Sequence, residues 1–182
     1  LLTDGNKEII IANRNGRAIR FNESTVRSMG RTSTGVRGMT LDEDGSDQVV
    51  GMIAVDEQPE ETIMVVSEQG YGKRSEIEDY RKTNRGGKGV KTLNITDKTG
   101  KLVSIQAVTD DNDLVIINKS GITLRVSVAD FRVMGRATQG VRLINLEKRN
   151  DQIGSICKVD SEPVEEAAEG GEETVPEAPV NE

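Results

Sequence analysis

The chain has 182 residues, 34% of them hydrophobic, which is enough for one domain of ordinary size with a modest core. It has no His and no Trp, and Cys157 is its single cysteine. This composition excludes Ser-His-Asp and Cys-His catalysis, Cys/His zinc sites and an intrachain disulfide. Because no stretch approaches the roughly 18 apolar residues of a membrane helix and no signal peptide is visible, we expect a cytoplasmic protein.

The formal net charge of −7 comes from one end of the chain. Residues 161–182 hold eight Glu and no Lys or Arg, whereas residues 1–160 hold 24 basic and 23 acidic residues. The last segment also lacks Leu, Ile and Phe, so it cannot bury enough apolar surface to offset the entropy of ordering. We therefore predict a folded body at 1–160 and a disordered acidic tail at 161–182.

Three copies of one sequence unit fill the body. Residues 9–41, 63–93 and 114–145 superpose without an internal gap, at offsets of 54 and then 51 residues. In each copy a glycine is followed by an arginine four residues later and by a second glycine 19 residues later. The equivalent positions are Gly16, Gly70 and Gly121, then Arg20, Arg74 and Arg125, then Gly35, Gly89 and Gly140. The repeat predicts blades at about 1–56, 57–108 and 109–160.

Each unit predicts four short strands and no long helix. In the first unit an apolar strand at 8–12 leads through the turn Asn15-Gly16 into a strand with Arg20, and further strands follow at 36–41 and 49–55. In the second unit the first, third and fourth strands are expected at 63–66, 90–95 and 102–108, and in the third at 114–117, 141–146 and 153–159. One such sheet cannot bury both faces unaided, so we predict an all-β, propeller-like body of three four-stranded blades.

Positive charge is concentrated at equivalent places in the three units. Residues 14–37, 71–91 and 119–142 together hold 18 Lys/Arg and 5 Asp/Glu, whereas the rest of the body holds 6 and 18. Because the units are equivalent, these segments are expected along one edge of the blades. A repeated basic edge suits the evenly spaced phosphates of duplex DNA, read through its backbone and bendability without sequence preference.

Other interpretations of these residues stay open. A single charge run is usually a solvated face, and only its threefold recurrence favours binding. Gly86 and Gly87 either shape a turn or let backbone N–H groups approach an anion. Tyr80 is favoured as a packing residue over a nucleophile, because no general base recurs near it. Cys157, in an alternating apolar context, is predicted to be a buried strand residue.

Several phrases in order and spacing resemble the C-terminal domain of the DNA gyrase A subunit. They are residues 16–21 (GRAIRF), 24–30 (STVRSMG), 34–38 (TGVRG), 70–74 (GYGKR) and 133–141 (VMGRATQGV). The resemblance covers residues 1 to about 160 and includes an acidic tail. It departs from the family in holding three blades of about six, and in its loop 83–89 (TNRGGKG), which keeps the last five positions of the family signature QRRGGKG and lies in the middle copy.

The resemblance implies a β-pinwheel, a propeller-like disc in which adjacent blades exchange strands and a basic perimeter wraps DNA. It implies a part in ATP-dependent negative supercoiling by a type II topoisomerase, near the nucleoid. The implied partners are double-stranded DNA, the A-subunit dimer and the gyrase B subunit. The cleaving tyrosine lies in the N-terminal half of the A polypeptide, and ATP and magnesium act elsewhere in the holoenzyme. No catalytic residue, cofactor site or metal site is therefore expected here.

The expected DNA contacts are the basic residues of the three segments and two glycines beside them. They are Arg14, Arg17, Arg20, Arg31, Arg37, Lys73, Arg74, Arg85, Gly86, Gly87, Lys88, Lys91, Arg125, Arg136 and Arg142. Arg20, Arg74 and Arg125 also qualify as structural pairs. The alternatives are the C-terminal domain of the topoisomerase IV A subunit, or a propeller that binds an acidic protein.

Overall fold

The computed structural model describes residues 1–43, 45–56, 60–146 and 151–161. This part of the chain forms eleven β-strands and three single-turn 3-10 helices, here called the turn helices. The strands are β1 (Glu8–Asn13), β2 (Arg17–Asn22), β3 (Val49–Val55), β4 (Thr62–Ser67), β5 (Tyr71–Ser75), β6 (Val90–Lys91), β7 (Leu102–Val108), β8 (Asn112–Asn118), β9 (Thr123–Ser127), β10 (Val141–Arg142) and β11 (Ile153–Asp160). The turn helices are Glu23–Thr25, Ile77–Asp79 and Val128–Asp130. Apart from Ser161, the predicted acidic tail lies outside the described residues.

The strands form three antiparallel sheets that follow one another along the chain. The central pairs are β1 with β2 and β3, β4 with β5 and β7, and β8 with β9 and β11. The three hairpins close at Gly16, Gly70 and Gly121, whose φ values of 78°, 77° and 85° suit glycine. The all-β body and the first, second and fourth predicted strands of every unit are confirmed.

One strand of each later unit crosses to the sheet before it. β6 of the second unit pairs with β2, and β10 of the third unit pairs with β5. The strands predicted at 90–95 and 141–146 are only two residues long, and residues 36–41 form no strand, since the described residues contain no earlier sheet with which they could pair. The third sheet has three strands within the described residues, while the first two have four, because no later unit in the described ranges supplies an exchanged strand to it. The expected exchange of strands between adjacent blades is confirmed.

Two of the three apolar clusters of the described residues lie between consecutive sheets, and the third covers the outer face of the first sheet together with Met39. Ile63 and Val65 on β4 pack in a cluster with the first sheet, whereas Met64 and Val66 pack in a cluster with the third. Successive side chains of a strand point to opposite faces, so this alternation places the middle sheet between two apolar layers. Each fully buried aliphatic side chain contributes about 1.5–3 kcal/mol, and these layers fix the blades against one another.

The outer faces differ from the two inner layers. Cys157 lies on β11 as predicted, but it is exposed, because β11 belongs to the last sheet and its outer face has no neighbouring sheet in the described chain. The prediction that Cys157 is buried was wrong. None of the helices in the described ranges is long and apolar enough to cross a membrane.

Candidate nucleic-acid interface

One loop follows each turn helix, and the second and third of these loops lead into the exchanged strands and lie against the unit before them. We call residues 26–37, 80–91 and 131–142 the junction loops; together they contain eleven Lys/Arg and no Asp/Glu. The Gly86 N–H donates to the Gly38 carbonyl at 2.6 Å, and the Thr40 N–H donates to the Gly87 carbonyl at 2.9 Å. The bond equivalent to the second one recurs at the next junction, at 3.0 Å. The strand exchange thus places the junction loops side by side along one edge.

Arg85 joins two neighbouring junction loops. Its Nε donates to the Thr25 carbonyl and its Nη1 to the Arg37 carbonyl, both at 3.2 Å. Arg136, the equivalent residue one unit later, makes the same pair of bonds at 2.9 and 2.7 Å. Both side chains were predicted to contact phosphate. In the structure each of them donates two hydrogen bonds to carbonyl groups of the preceding unit, so both residues hold adjacent blades together.

Arg20 crosses the same junction in the opposite direction. Only 4% of this residue is exposed, its Nε is bonded to the buried Glu8 carboxylate, and its Nη1 donates to the carbonyls of Ile77 at 2.8 Å and Tyr80 at 3.3 Å. A phosphate outside the protein cannot reach a guanidinium that is enclosed in this way. The predicted DNA contact is therefore wrong for Arg20, and its structural alternative is the one observed.

Arg74 repeats this arrangement between the second and third units. It is buried, its Nε donates to Thr62 Oγ1 at 3.0 Å, and its Nη1 donates to the carbonyls of Val128 and Phe131 at 3.2 and 3.3 Å. The same nitrogen contacts Asp110 at 2.7 Å. Arg74 is thus also a blade-joining residue, and the prediction that it contacts phosphate was wrong. We call Arg20, Arg74, Arg85 and Arg136 the junction arginines.

Lys73 is fully buried, which contradicts its predicted role in DNA binding. Its Nζ donates to the Gly135 carbonyl at 2.7 Å, and none of the residue is exposed. Burial lowers the Lys73 pKa to about 7; Asp79 opposes this shift and Arg136 adds to it. The equivalent positions in the other units are Ile19 and Leu124, so Lys73 occupies a core position of the repeat.

Gly86 and Gly87 form backbone hydrogen bonds with Gly38 and Thr40 of the first unit. The Gly86 N–H is taken by a protein carbonyl, and the Gly86 carbonyl accepts from Thr40 Oγ1 at 2.6 Å. Gly86 therefore has no free N–H to offer an anion, and that part of the prediction was wrong. Gly87 lines a cavity together with Lys88, so its predicted contact with a phosphate stays a prediction.

Three predicted residues lie at the surface with protein partners. Arg14 pairs with Glu68 at 2.5 Å, and Arg125 pairs with Asp113 at 2.7 Å. Arg142 donates from Nη2 to the Tyr71 hydroxyl at 2.9 Å and lies 5.5 Å from the centre of that ring. The Arg14 and Arg125 side chains are 37% and 39% exposed, although their carboxylate partners are each only 14% exposed, so both guanidinium groups remain within reach of a phosphate.

The remaining predicted cations lie at or near the surface of the edge. They are Arg17, Arg31, Arg37, Lys88 and Lys91. Arg17 lies directly opposite Lys91 in the pairing of β2 with β6, and like charges in that arrangement destabilise a sheet unless an anion joins them. Lys88, with 64% of its side chain exposed, approaches a carboxylate only at 3.9 Å, from Asp42.

Sequence reasoning missed one repeated set of exposed arginines. Arg27, Arg81 and Arg132 occupy equivalent positions in the three units, and all three are exposed. The same offsets of 54 and 51 residues that connect the predicted sites also connect these three arginines. The signal was therefore available in the alignment of the units.

Tyr80 packs inside the blade, as favoured from the sequence. It is fully buried, with its hydroxyl 2.5 Å from Thr92 Oγ1. Burial raises its pKa to about 12, and the hydrogen bond with Thr92 only partly offsets this shift. A phenol of that kind is a poor nucleophile, so Tyr80 has a packing role.

The sequence matches one family along most of its length. The family model of the DNA gyrase C-terminal domain, a beta-propeller, matches residues 7–56, 61–109 and 112–155. The DNA gyrase A subunit of Staphylococcus aureus strain MRSA252 is 44% identical over 188 aligned residues, covering 99% of this chain and 21% of the relative. The same protein of strain NCTC 8325 is 44% identical over 174 residues, covering 95% of this chain and 19% of the relative. The chain therefore spans about a fifth of the length of these relatives.

Two solved structures share the fold. The C-terminal domain of DNA topoisomerase IV superposes with a TM-score of 0.81 at 25% identity, covering 88% of this chain and 49% of that one. The DNA gyrase A C-terminal domain superposes with a TM-score of 0.76 at 29% identity, covering 86% and 52%. With the family match and the exchanged sheets, these similarities assign the chain to the family of DNA gyrase C-terminal domains.

Proposed function

We propose that this chain binds and wraps duplex DNA through phosphate contacts along the junction loops, as a section of the DNA gyrase A polypeptide. The observation that carries the proposal is the composition of those loops, eleven basic residues and no acidic one, on an edge where neighbouring loops are hydrogen-bonded to adjacent units. A duplex brings evenly spaced phosphates to such an edge and releases counterions when it binds.

The junction arginines support wrapping rather than contact with a short straight duplex. Because Arg85 and Arg136 fix each loop to the carbonyls of the previous unit, the spacing between cations of successive blades is held by the protein. A fixed row of cations compensates the elastic cost of bending DNA along it, about 1–6 kcal/mol for a site of 20–30 base pairs. The expected selectivity is for bendability and not for base sequence.

A salt titration tests DNA binding directly. We expect the chain to bind unrelated duplex sequences with similar affinity, and log K to fall with log salt by about 0.9 for each phosphate contacted. A matched titration with single strands of the same sequences serves as the control. An affinity that does not change with salt concentration, or no binding at low salt, would refute the proposal.

The parent enzyme is decided by a supercoiling assay. In gyrase we expect the polypeptide that carries this chain, together with ATP and the B subunit, to introduce negative supercoils into relaxed plasmid. Topoisomerase IV is the second candidate, because its C-terminal domain shares this fold. Relaxation or decatenation without negative supercoiling would favour topoisomerase IV and remove the gyrase part of the proposal.

A further inference from the structure

Arg27, Arg81 and Arg132 are three of the eleven junction-loop cations, and they occupy equivalent positions at the start of the three loops. Each is the first residue after the C-cap of a turn helix, and each is exposed. Throughout the described ranges, none of the three side chains has a hydrogen bond or an ion pair. One unpartnered guanidinium thus occurs at the same point of every blade in this part of the chain.

The backbone that carries Arg81 is held from both sides. From the first sheet Arg20 donates to the Tyr80 carbonyl at 3.3 Å, and from the third unit Arg136 donates to the Asp79 carbonyl at 2.9 Å. The position of the Arg81 Cα is therefore set by two neighbouring blades, although its side chain extends from the surface of the loop. A cation that is fixed at its base loses less entropy when it binds a ligand.

The backbone at each of the other two arginines is held by one bond from a neighbouring unit. Arg74 donates to the carbonyl immediately before Arg132 at 3.3 Å, and Arg85 donates to the carbonyl two residues before Arg27 at 3.2 Å. The blade junctions therefore determine the spacing between members of the set.

The surroundings of Arg81 suit an anion. It lines a cavity of about 290 Å³ together with Thr83, Asn84, Gly87 and Lys88, which supply a hydroxyl, an amide and a second exposed cation. Among the described residues, no acidic side chain lines this cavity. Lys82, next to Arg81, is by contrast paired with Glu8 at 2.5 Å. A phosphate oxygen is thus better suited than another protein group to meet the Arg81 guanidinium.

We propose that Arg27, Arg81 and Arg132 are repeat-matched contacts to the phosphodiester backbone, one in each blade. The inference rests on the proposed DNA binding and assigns it to side chains outside the predicted set. The junction arginines hold the loops in position, whereas Arg27, Arg81 and Arg132 contact the DNA. Each contact adds one phosphate to the number that sets the salt dependence.

Charge removal at this set provides the test. Arg81→Gln and Arg132→Gln should each weaken duplex binding about eightfold at 0.1 M monovalent salt and lower the slope of log K against log salt by about 0.9. The double variant should lower the slope by about 1.8. Arg81→Lys with Arg132→Lys keeps both charges, so it should retain most of the slope.

The matched control is Lys7→Gln with Lys158→Gln, which removes two charges that lie outside the junction loops and pair with Asp56 and Glu61. This control should keep the parent slope. A parent chain that fails to bind DNA would overturn the proposed function itself. If the parent binds but the double arginine variant, folded by circular dichroism, keeps the parent affinity and slope, the DNA-binding proposal survives and this inference is overturned.

Discussion

Arg136 donates its Nη1 to the carbonyl oxygen of Lys91 at 2.7 Å, which attaches the third unit to the exchanged strand of the second. Arg85 makes the equivalent bond to Arg37 one unit earlier. The donors are charged and the acceptors are backbone oxygens, so these bonds are stronger than neutral ones. The body is therefore joined by side chains from a later unit as well as by apolar layers.

Replacing Arg136 should weaken the junction between the second and third units. Arg136→Ala removes two bonds to carbonyls, so we expect a loss of about 1–3 kcal/mol in the free energy of unfolding. Urea denaturation followed by circular dichroism measures it. Arg132→Ala in the same loop removes a side chain without a partner in the described ranges and should change stability by less than about 0.5 kcal/mol. Equal losses in the two variants would contradict a blade-joining role for Arg136.

Replacing Arg20 should affect stability far more than DNA binding. Arg20→Met leaves the buried Glu8 carboxylate with Lys82 as its one remaining cationic partner among the described residues. Loss of one partner of a buried pair costs about 3–5 kcal/mol. At a temperature where the variant is still folded, the salt slope of duplex binding should equal that of the parent. A slope lower by about 0.9 would instead mean that Arg20 contacts phosphate.

Much of the fold could be predicted from the sequence because the repeat is gapless. Matching glycines and alternating apolar residues predict the hairpins at Gly16, Gly70 and Gly121 and the central strands. The length of the exchanged strands could not be predicted, because it depends on how β6 and β10 meet the preceding sheet, and no local pattern records that pairing.

The candidate site was harder to predict, because recurrence marks structural and ligand-binding residues alike. Arg20 and Arg74 recur because each junction needs them, whereas Arg27 and Arg81 recur at the surface. Burial separates the two classes, and it follows from contacts between units. Lys73 was the exception that the sequence could have identified, since its equivalents Ile19 and Leu124 are apolar.

Lys73 should make stability rise with pH above neutrality. Its pKa is about 7 in the folded chain, against 10.5 for an ordinary lysine. Between these values the unfolded chain binds a proton that the folded chain lacks, so the free energy of unfolding increases with pH by at most about 1.4 kcal/mol per unit. Below pH 7 both states are protonated, and the burial cost of the charge is present in full.

The variant Lys73→Met should remove this rise and stabilise the protein most at or below pH 7. Urea denaturation of parent and variant across pH 7 to 10 measures the difference. Lys88→Met, at an exposed position, should reproduce the pH dependence of the parent. Parallel profiles for the parent and Lys73→Met would contradict a buried, deprotonated Lys73.

Gly89 lies where the second unit meets the first sheet, and it should tolerate no side chain. Its φ is 72°, and an added Cβ would lie less than 3.0 Å from the Ala18 carbonyl, a backbone group that cannot move aside cheaply. Gly89→Ala must therefore displace β6 from β2 as well as strain its own backbone. We expect a loss of more than about 3 kcal/mol, since each kind of strain contributes about 1–3 kcal/mol.

The repeat itself supplies the control for this prediction. Gly35 is the equivalent residue of the first unit, with φ of 88°, but no described atom lies within 4 Å of the position that an added methyl group would take. Gly35→Ala therefore carries the backbone strain alone, and about 1–2 kcal/mol is expected. Thermal unfolding of the two variants separates the two costs, because the difference between them measures the close approach of the exchanged strand to Ala18. Equal destabilisation would mean that β6 moves away from β2 with no loss in the free energy of unfolding. The exchanged strand would then not hold the first two blades together.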